Sequence, residues 1–203
     1  MILNYCLLGD FDWLRILPAL EKPGAISFPF LTRKLREGLT EAAKQLTYKS
    51  LPSFVSNGQV LQEIDSCNDF AEDNIFRIFA KEYEAFLLHK IQELNSYPFA
   101  TNFEINDVSI QRYWRGTLGI TAHVDGKSHR NLVSLLILEG EGRFYVCDNR
   151  QRDNASLIDT APGNLLLMRA NGFKQYLNTP FHFVTDIKSD RYVLGLRQKI
   201  KTA

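Results

Sequence analysis

From residue 103 onward the chain is a series of short apolar runs with a period of two residues, and this pattern limits the fold more than any other feature. Turn-forming segments such as 139–142 and 161–164 separate the runs. The runs cover residues 107–114, 117–124, 131–138, 143–147, 165–168, 181–187 and 191–197. Short strands at a spacing of about ten residues are typical of a β-sandwich or a β-barrel.

The first hundred residues show a helical period instead. Apolar residues recur every three or four positions in 31–46 and in 70–94, and Asp69 is a candidate N-cap for the second segment. Without a sheet to cover them, these apolar stripes would be exposed. We therefore predict a single α+β domain over residues 1–203, with a mainly helical support region over 1–100 and a β-barrel core over 103–200.

Composition and charge narrow the class of protein. The 24 Lys and Arg nearly balance the 23 Asp and Glu, so the net charge of +1 favours neither a nucleic-acid nor a membrane partner. The apolar segment 1–8 is too short for a signal peptide or a membrane span. Cys6, Cys67 and Cys147 are widely separated and form no CxxC pair, which predicts reduced thiols in a cytoplasmic protein.

Two of the four histidines lie in a pattern that suits a metal ion. His123 and Asp125 are two residues apart at the end of a predicted strand, so both side chains can project from the same face. His182 lies on a later predicted strand and can supply a third ligand. Two histidines and one carboxylate leave three positions open on a six-coordinate ion, as in non-haem Fe(II) oxygenases. A His–Asp pair that merely satisfies its own hydrogen bonds in a core is the alternative.

The last predicted strand carries two arginines on one face. Its other face is apolar and consists of Tyr192, Leu194 and Leu196. If the apolar face packs against a helix, Arg191 and Arg197 point into the barrel. An unpaired buried cation costs several kcal/mol, so we expect an anion there. Gly195 lies between the two arginines and leaves room for a ligand near the backbone. If the strand is instead at an edge, both arginines are in water.

The order Tyr113, His123-x-Asp125, His182, Arg191 and Arg197 resembles that of the oxygenases that use Fe(II) and 2-oxoglutarate in a double-stranded β-helix. Segments 191–198 and 111–113 resemble the RxNxxxR and NxY motifs of the AlkB-like members. The resemblance covers about residues 105–198 and implies a jelly-roll, cupin-like barrel. It also implies O2 and 2-oxoglutarate as cosubstrates.

The resemblance also implies roles for the residues around the ion. Arg191 pairs with the distal carboxylate of 2-oxoglutarate, while Arg197 and Tyr113 support its carboxylates. Two positions depart from the family pattern: Val193 stands where relatives have Asn or Ser, and Gln111 stands where they have Asn.

The substrate is much less constrained. A near-neutral chain favours hydroxylation of a small molecule or a protein. AlkB-like oxidative dealkylation of nucleic acid and a non-enzymatic binding barrel are the alternatives. No substrate-binding residue is predicted, although His129 follows the His–Asp motif in a predicted loop.

Overall fold

The computed structural model of the protein describes residues 11–55, 59–177 and 179–200. Within these ranges the helices are Trp13–Ala19 (α1), Arg33–Lys44 (α2) and Ile75–Gln92 (α3). Helix α3 begins after Asn74, whose side-chain oxygen accepts the Phe76 N–H at 2.9 Å. The prediction that Asp69 caps this helix is therefore wrong, because the extended backbone and the side chain of Asn74 provide the cap.

Three antiparallel sheets contain the strands. The major sheet has the spatial order Ala25–Pro29 (β1), Asn164–Arg169 (β11), His129–Glu139 (β8), Arg191–Lys199 (β13), Asp107–Tyr113 (β6), Asp65–Cys67 (β5) and Lys49–Ser50 (β2). The minor sheet has the order Ser156–Ile158 (β10), Arg143–Cys147 (β9), Phe181–Thr185 (β12) and Ile120–His123 (β7). A hairpin consists of Phe54–Val55 (β3) and Val60–Leu61 (β4).

The major sheet has two buried faces, because it lies between the helices and the minor sheet. On the inner face, Val133 and Val193 join Phe144 and Val184 of the minor sheet in one apolar cluster. The outer face packs against the helices through a second cluster, whose members include Tyr83, Leu136, Leu194 and Leu196. This two-sheet arrangement, with helices against one sheet, confirms the predicted α+β double-stranded β-helix.

The prediction of a mainly helical region over residues 1–100 misses several strands. β1, β2 and β5 extend the major sheet, and β3 and β4 form the hairpin. Residues 117–119 were expected in a strand but form a loop before β7. Gly119 has a φ of +82°, and a Cβ there would lie 2.2 Å from the carbonyl oxygen of Val184. Such a backbone conformation favours glycine and interrupts the strand.

Cys67 and Cys147 are buried free thiols, as predicted, whereas Cys6 and the segment 1–8 lie outside the described residues. A cytoplasmic location stays a prediction. Among the residues that the structure describes, no helix has the length and apolar character needed to cross a membrane.

Candidate metal and anion site

His123 and His182 face the same cavity from neighbouring strands of the minor sheet. They are direct partners in the pairing of β7 with β12, and their ring centroids lie 4.2 Å apart. The register shifts next to this pair, because Val184 is opposite Ile120 rather than Thr121. This bulge allows both Ile120 and His123 to line the cavity although they are three residues apart.

Asp125 lies beyond the end of β7. Its N–H donates to the hydroxyl of the buried Thr179 at 3.1 Å, which holds the ligand loop against the segment before His182. Its Oδ1 lies 3.8 Å from His182 Nε2 and 4.0 Å from His123 Nε2. One ligand atom from each of the three residues lies within 4.8 Å of the others, so they could hold one metal ion.

Hydrogen bonds orient both imidazoles for metal binding. His123 Nδ1 lies 2.9 Å from the Thr121 carbonyl oxygen, and His182 Nδ1 lies 3.1 Å from that of Pro180. Because a carbonyl only accepts, each Nδ1 donates to it, and in the neutral imidazole Nε2 then has a free lone pair. Thr121 and Pro180 thereby select the tautomer that a metal ion needs.

The ionisation states of His123 and Asp125 also suit a cation. Burial, reinforced by the neighbouring His182, lowers the pKa of His123 to about 4, so this imidazole is neutral at pH 7. Burial alone would raise the pKa of Asp125, but His182 and Arg197 outweigh it and hold that pKa below its ordinary value. Neutral imidazole and carboxylate are donors that Fe(II) accepts.

Arg191 lines the same cavity and is one of the most deeply buried side chains, at 1% exposure. Its Nε and Nη1 are buried and have no hydrogen-bond partner among the described residues. Gly142 makes room for it, since a Cβ there would lie 3.2 Å from Arg191 Nη1. The chain therefore keeps an unpaired guanidinium inside the barrel, which is costly unless an anion binds it.

Arg197 also lines the cavity but is partly engaged. Its Nη1 donates to Ser109 Oγ at 3.0 Å, while its Nε is buried without a partner in the described part of the chain. The expectation that Gly195 leaves room for a ligand is wrong. The guanidinium of Arg197 fills that space, because a Cβ on Gly195 would lie 2.5 Å from Arg197 Nη1.

Tyr113 completes this wall of the cavity and is 3% exposed. Its hydroxyl lies 3.4 Å from Gln111 Oε1, and its ring centroid lies 5.9 Å from Arg191 Cζ. Apart from the histidines, the charged groups that line the cavity are Arg191, Arg197 and Asp125, so two cations face one carboxylate. This excess positive charge, to which a metal ion would add, favours a bound anion.

His129 does not lie in a loop as predicted. It is the first residue of β8, and its Nε2 lies 3.5 Å from Asp107 Oδ2. The sequence analysis missed Thr179, Ser109 and Phe144, whose ring stacks on His182 at 5.4 Å between centroids. Ser109 could have been found, because it lies on the same face of one strand as Gln111 and Tyr113. Thr179 is in a loop and carries no such signal.

Comparison with known proteins gives matches of structure only. No protein-family model matches the sequence, and no curated protein matches it. A prolyl hydroxylase from Trichoplax adhaerens, solved with a peptide fragment of the hypoxia inducible factor oxygen degradation domain, matches with a TM-score of 0.65. The two sequences are 14% identical over 94% of each chain.

Two further solved structures are similar. An oxidoreductase of the 2OG-Fe(II) oxygenase family from Burkholderia pseudomallei has a TM-score of 0.61 and 14% identity, over 94% of this chain and 92% of its own. OsALKBH1 has a TM-score of 0.59 and 19% identity, over 87% of this chain and 99% of its own. The chain thus has the double-stranded β-helix fold of the 2-oxoglutarate–Fe(II) oxygenases, AlkB homologues included. This confirms the predicted resemblance at the level of the fold.

Proposed function

We propose that this protein is an Fe(II)- and 2-oxoglutarate-dependent dioxygenase that hydroxylates a small molecule or a protein. One observation carries the proposal: the His–Asp–His cluster and two incompletely paired guanidinium groups line the same cavity. The cluster alone would suit several divalent ions. The adjacent arginines, Arg191 and Arg197, also call for an anion beside the metal. 2-Oxoglutarate is such an anion, because it is a dicarboxylate.

The donor set suits Fe(II), and the incompletely paired arginines suit a dicarboxylate. His123, Asp125 and His182 would hold Fe(II) and leave three positions for 2-oxoglutarate and O2. Arg191 would bind the distal carboxylate through its unpaired Nε and Nη1, while Arg197 and Tyr113 support the cosubstrate. When bound, the metal and cosubstrate supply the oxidation of a C–H bond by O2, with succinate and CO2 as products.

The surrounding side chains contribute orientation and exclude water. Val133, Leu135, Phe144 and Val193 give the cavity apolar walls. In such surroundings a guanidinium–carboxylate contact is stronger than in water. Val193 offers no polar contact to the cosubstrate, so the two arginines and Tyr113 would orient it.

The proposed substrate class rests on the overall charge and on structural similarity. The near balance of acidic and basic residues favours a small molecule or a protein. The similarity to a prolyl hydroxylase that was solved with a peptide is consistent with a protein substrate. Oxidative dealkylation of nucleic acid is the second candidate, because OsALKBH1 shares the fold.

The proposal is tested first by ligand binding and then by turnover. Calorimetry under anaerobic conditions should show 2-oxoglutarate binding to the Fe(II)-loaded protein and no comparable binding by a His182→Ala variant. Succinate formation is then measured with peptides, small molecules and methylated oligonucleotides. His89→Ala is the matched control, since His89 is an exposed residue of α3 close to Glu93. Failure of the Fe(II)-loaded parent protein to bind 2-oxoglutarate would overturn the proposal.

A further inference from the structure

Arg197 has an unusual conformation for a strand residue. Strand side chains normally stand roughly perpendicular to the sheet. Arg197 instead folds back along its own strand, so that its guanidinium lies over Gly195, two residues earlier on the same face. The three atoms nearest to a Cβ built on Gly195 all belong to that guanidinium: Nη1 at 2.5 Å, Cζ at 2.9 Å and Nη2 at 3.0 Å.

Ser109 lies beside the same position. It is the direct partner of Gly195 in the pairing of β13 with β6, and its Oγ accepts the hydrogen bond from Arg197 Nη1. Gly195 leaves the space and Ser109 supplies the acceptor, so together these two small residues form a seat for the guanidinium. We call this pair the Gly195–Ser109 seat.

The seat leaves part of the guanidinium available. Arg197 is only 8% exposed, and its Nε has no partner among the described residues. Ser109 is uncharged, so the positive charge is not neutralised by this contact. Arg197 lines the cavity together with Arg191 and the three candidate metal ligands. A carboxylate in that cavity could therefore reach the seated guanidinium without moving it far.

We propose that Gly195 and Ser109 are positioning residues, which hold the Arg197 guanidinium at the place where it binds a carboxylate of 2-oxoglutarate. The inference rests on the proposed function and concerns how this chain orients the cosubstrate. Arginine has several rotatable bonds, and binding to a mobile guanidinium is weaker because the side chain must be ordered first. The seat removes that cost before the cosubstrate arrives.

Gly195→Ala is the decisive variant. Gly195 has an ordinary strand conformation, and the added methyl group meets the end of a flexible side chain rather than the backbone, so the protein should fold. We expect the affinity of the Mn(II)-loaded protein for 2-oxoglutarate to fall about tenfold or more, the scale of one lost charged hydrogen bond. Ser109→Ala should also weaken binding, and Ser109→Thr should restore part of it by keeping the hydroxyl.

Two comparisons separate a positioning role from a general disturbance of the structure. In an Arg197→Met protein, Gly195→Ala should cause no further loss of affinity, because the residue that it displaces is gone. Gly38→Ala is the control for adding a methyl group, since a Cβ at Gly38 meets nothing within 4 Å. It should leave the affinity unchanged.

A second measurement needs no cosubstrate. The Arg197 Nε–H resonance, assigned by its absence in Arg197→Met, should be protected from solvent exchange in the ligand-free parent and should exchange faster in Gly195→Ala. If the parent binds 2-oxoglutarate and Gly195→Ala binds it equally well, the inference is wrong and the proposed function stands. The same follows if Gly195→Ala weakens binding equally with and without Arg197. If the Mn(II)-loaded parent does not bind 2-oxoglutarate, both are wrong.

Discussion

His123 and His182 lie directly opposite each other on β7 and β12, with their ring centroids 4.2 Å apart. Two histidines this close would repel each other if both were protonated, and burial with this proximity lowers the pKa of His123 to about 4. Both Nδ1 atoms are engaged by carbonyl oxygens, so each imidazole in its neutral form presents an Nε2 lone pair. The pair is thus arranged to share a cation and lies beside Asp125, which can complete its ligand set.

Removing one of these histidines should abolish tight metal binding. We expect His182→Ala to weaken Mn(II) binding by more than about 100-fold, since even residues that only orient ligands contribute 10–100-fold. Titration followed by electron paramagnetic resonance measures the effect, and His89→Ala serves as the control. Equal Mn(II) affinity in His182→Ala and the parent would show that the ion, if any, binds elsewhere.

Replacing Arg191 should have opposite effects on stability and on binding. Arg191→Met removes an unpaired buried cation, so the free energy of unfolding of the ligand-free protein should rise by about 1–4 kcal/mol. The same change should weaken 2-oxoglutarate binding by roughly 2–5 kcal/mol, because the distal carboxylate loses its partner. Chemical denaturation measures stability and calorimetry measures binding.

Arg191→Ala and Arg33→Met are the comparisons. Arg191→Ala also loses the packing of the aliphatic stem, so it should be less stable than Arg191→Met. Arg33 lies on the surface of α2 and is paired with Glu37, so Arg33→Met should not alter binding. Unchanged affinity in Arg191→Met would remove the main reason to name 2-oxoglutarate as the cosubstrate.

A polar cluster on the helix-facing side of β6 should make stability depend on pH. Asp65 accepts hydrogen bonds from Ser50, Arg112 and Trp114, and the guanidinium of Arg112 lies 4.1 Å from the ring centroids of both Tyr48 and Trp114. Burial alone would raise the pKa of Asp65, but these hydrogen bonds outweigh it and lower the pKa. The ionised form is therefore favoured by folding.

The sign of the effect follows from this shift. A carboxyl with a lowered pKa in the folded state contributes stability above its unfolded pKa of about 3.9, and this contribution is lost as the pH falls through the folded value. Asp65→Asn should lower the free energy of unfolding by about 2–3 kcal/mol at pH 7, and the difference should shrink towards pH 2. Urea denaturation of parent and variant across this range checks it. Glu72→Gln is the control: the pKa of Glu72 is also lowered, but its pair with Lys81 is exposed, so its effect on stability should be much smaller.

Strand alternation was enough to predict which residues share a face of the last strand, but not which face lines the cavity or what holds the side chains there. The period of two places Arg191 and Arg197 on one face of the strand and Leu194 on the other. In the structure, the two arginines line the cavity and Leu194 packs in the helix-facing cluster. Alternation says nothing about rotamers, so the folding of Arg197 over Gly195 could not be foreseen. The position of Asp125 likewise depends on Thr179, which is 54 residues away and in a loop.

Most of the missed strands have too few residues to show a period. β2 and β5 have two and three residues, and their place in the major sheet depends on pairing with β6. The bulge beside His123 could not be predicted for a similar reason. A shift of one residue in the pairing of β7 with β12 leaves the apolar–polar alternation of the sequence almost unchanged. Helix α3 was predicted by its apolar stripe, but its start depends on Asn74, whose side-chain oxygen accepts a hydrogen bond from the Phe76 N–H.

The proposed substrate class predicts weak binding to nucleic acid. Over the whole chain 24 Lys and Arg face 23 Asp and Glu, and several basic side chains are paired with acidic ones, as in Arg112–Asp65 and Lys44–Glu139. A dealkylating enzyme gains much of its affinity from phosphate contacts, and each contact steepens the fall of log affinity with log salt by about 0.9 on duplex DNA. We therefore expect no submicromolar binding to single- or double-stranded oligonucleotides at about 150 mM salt. A salt titration by fluorescence anisotropy, combined with succinate formation on methylated oligonucleotides, measures this. Tight binding with a slope of several phosphates, or succinate formation that depends on the methylated base, would favour oxidative dealkylation over hydroxylation of a small molecule or a protein.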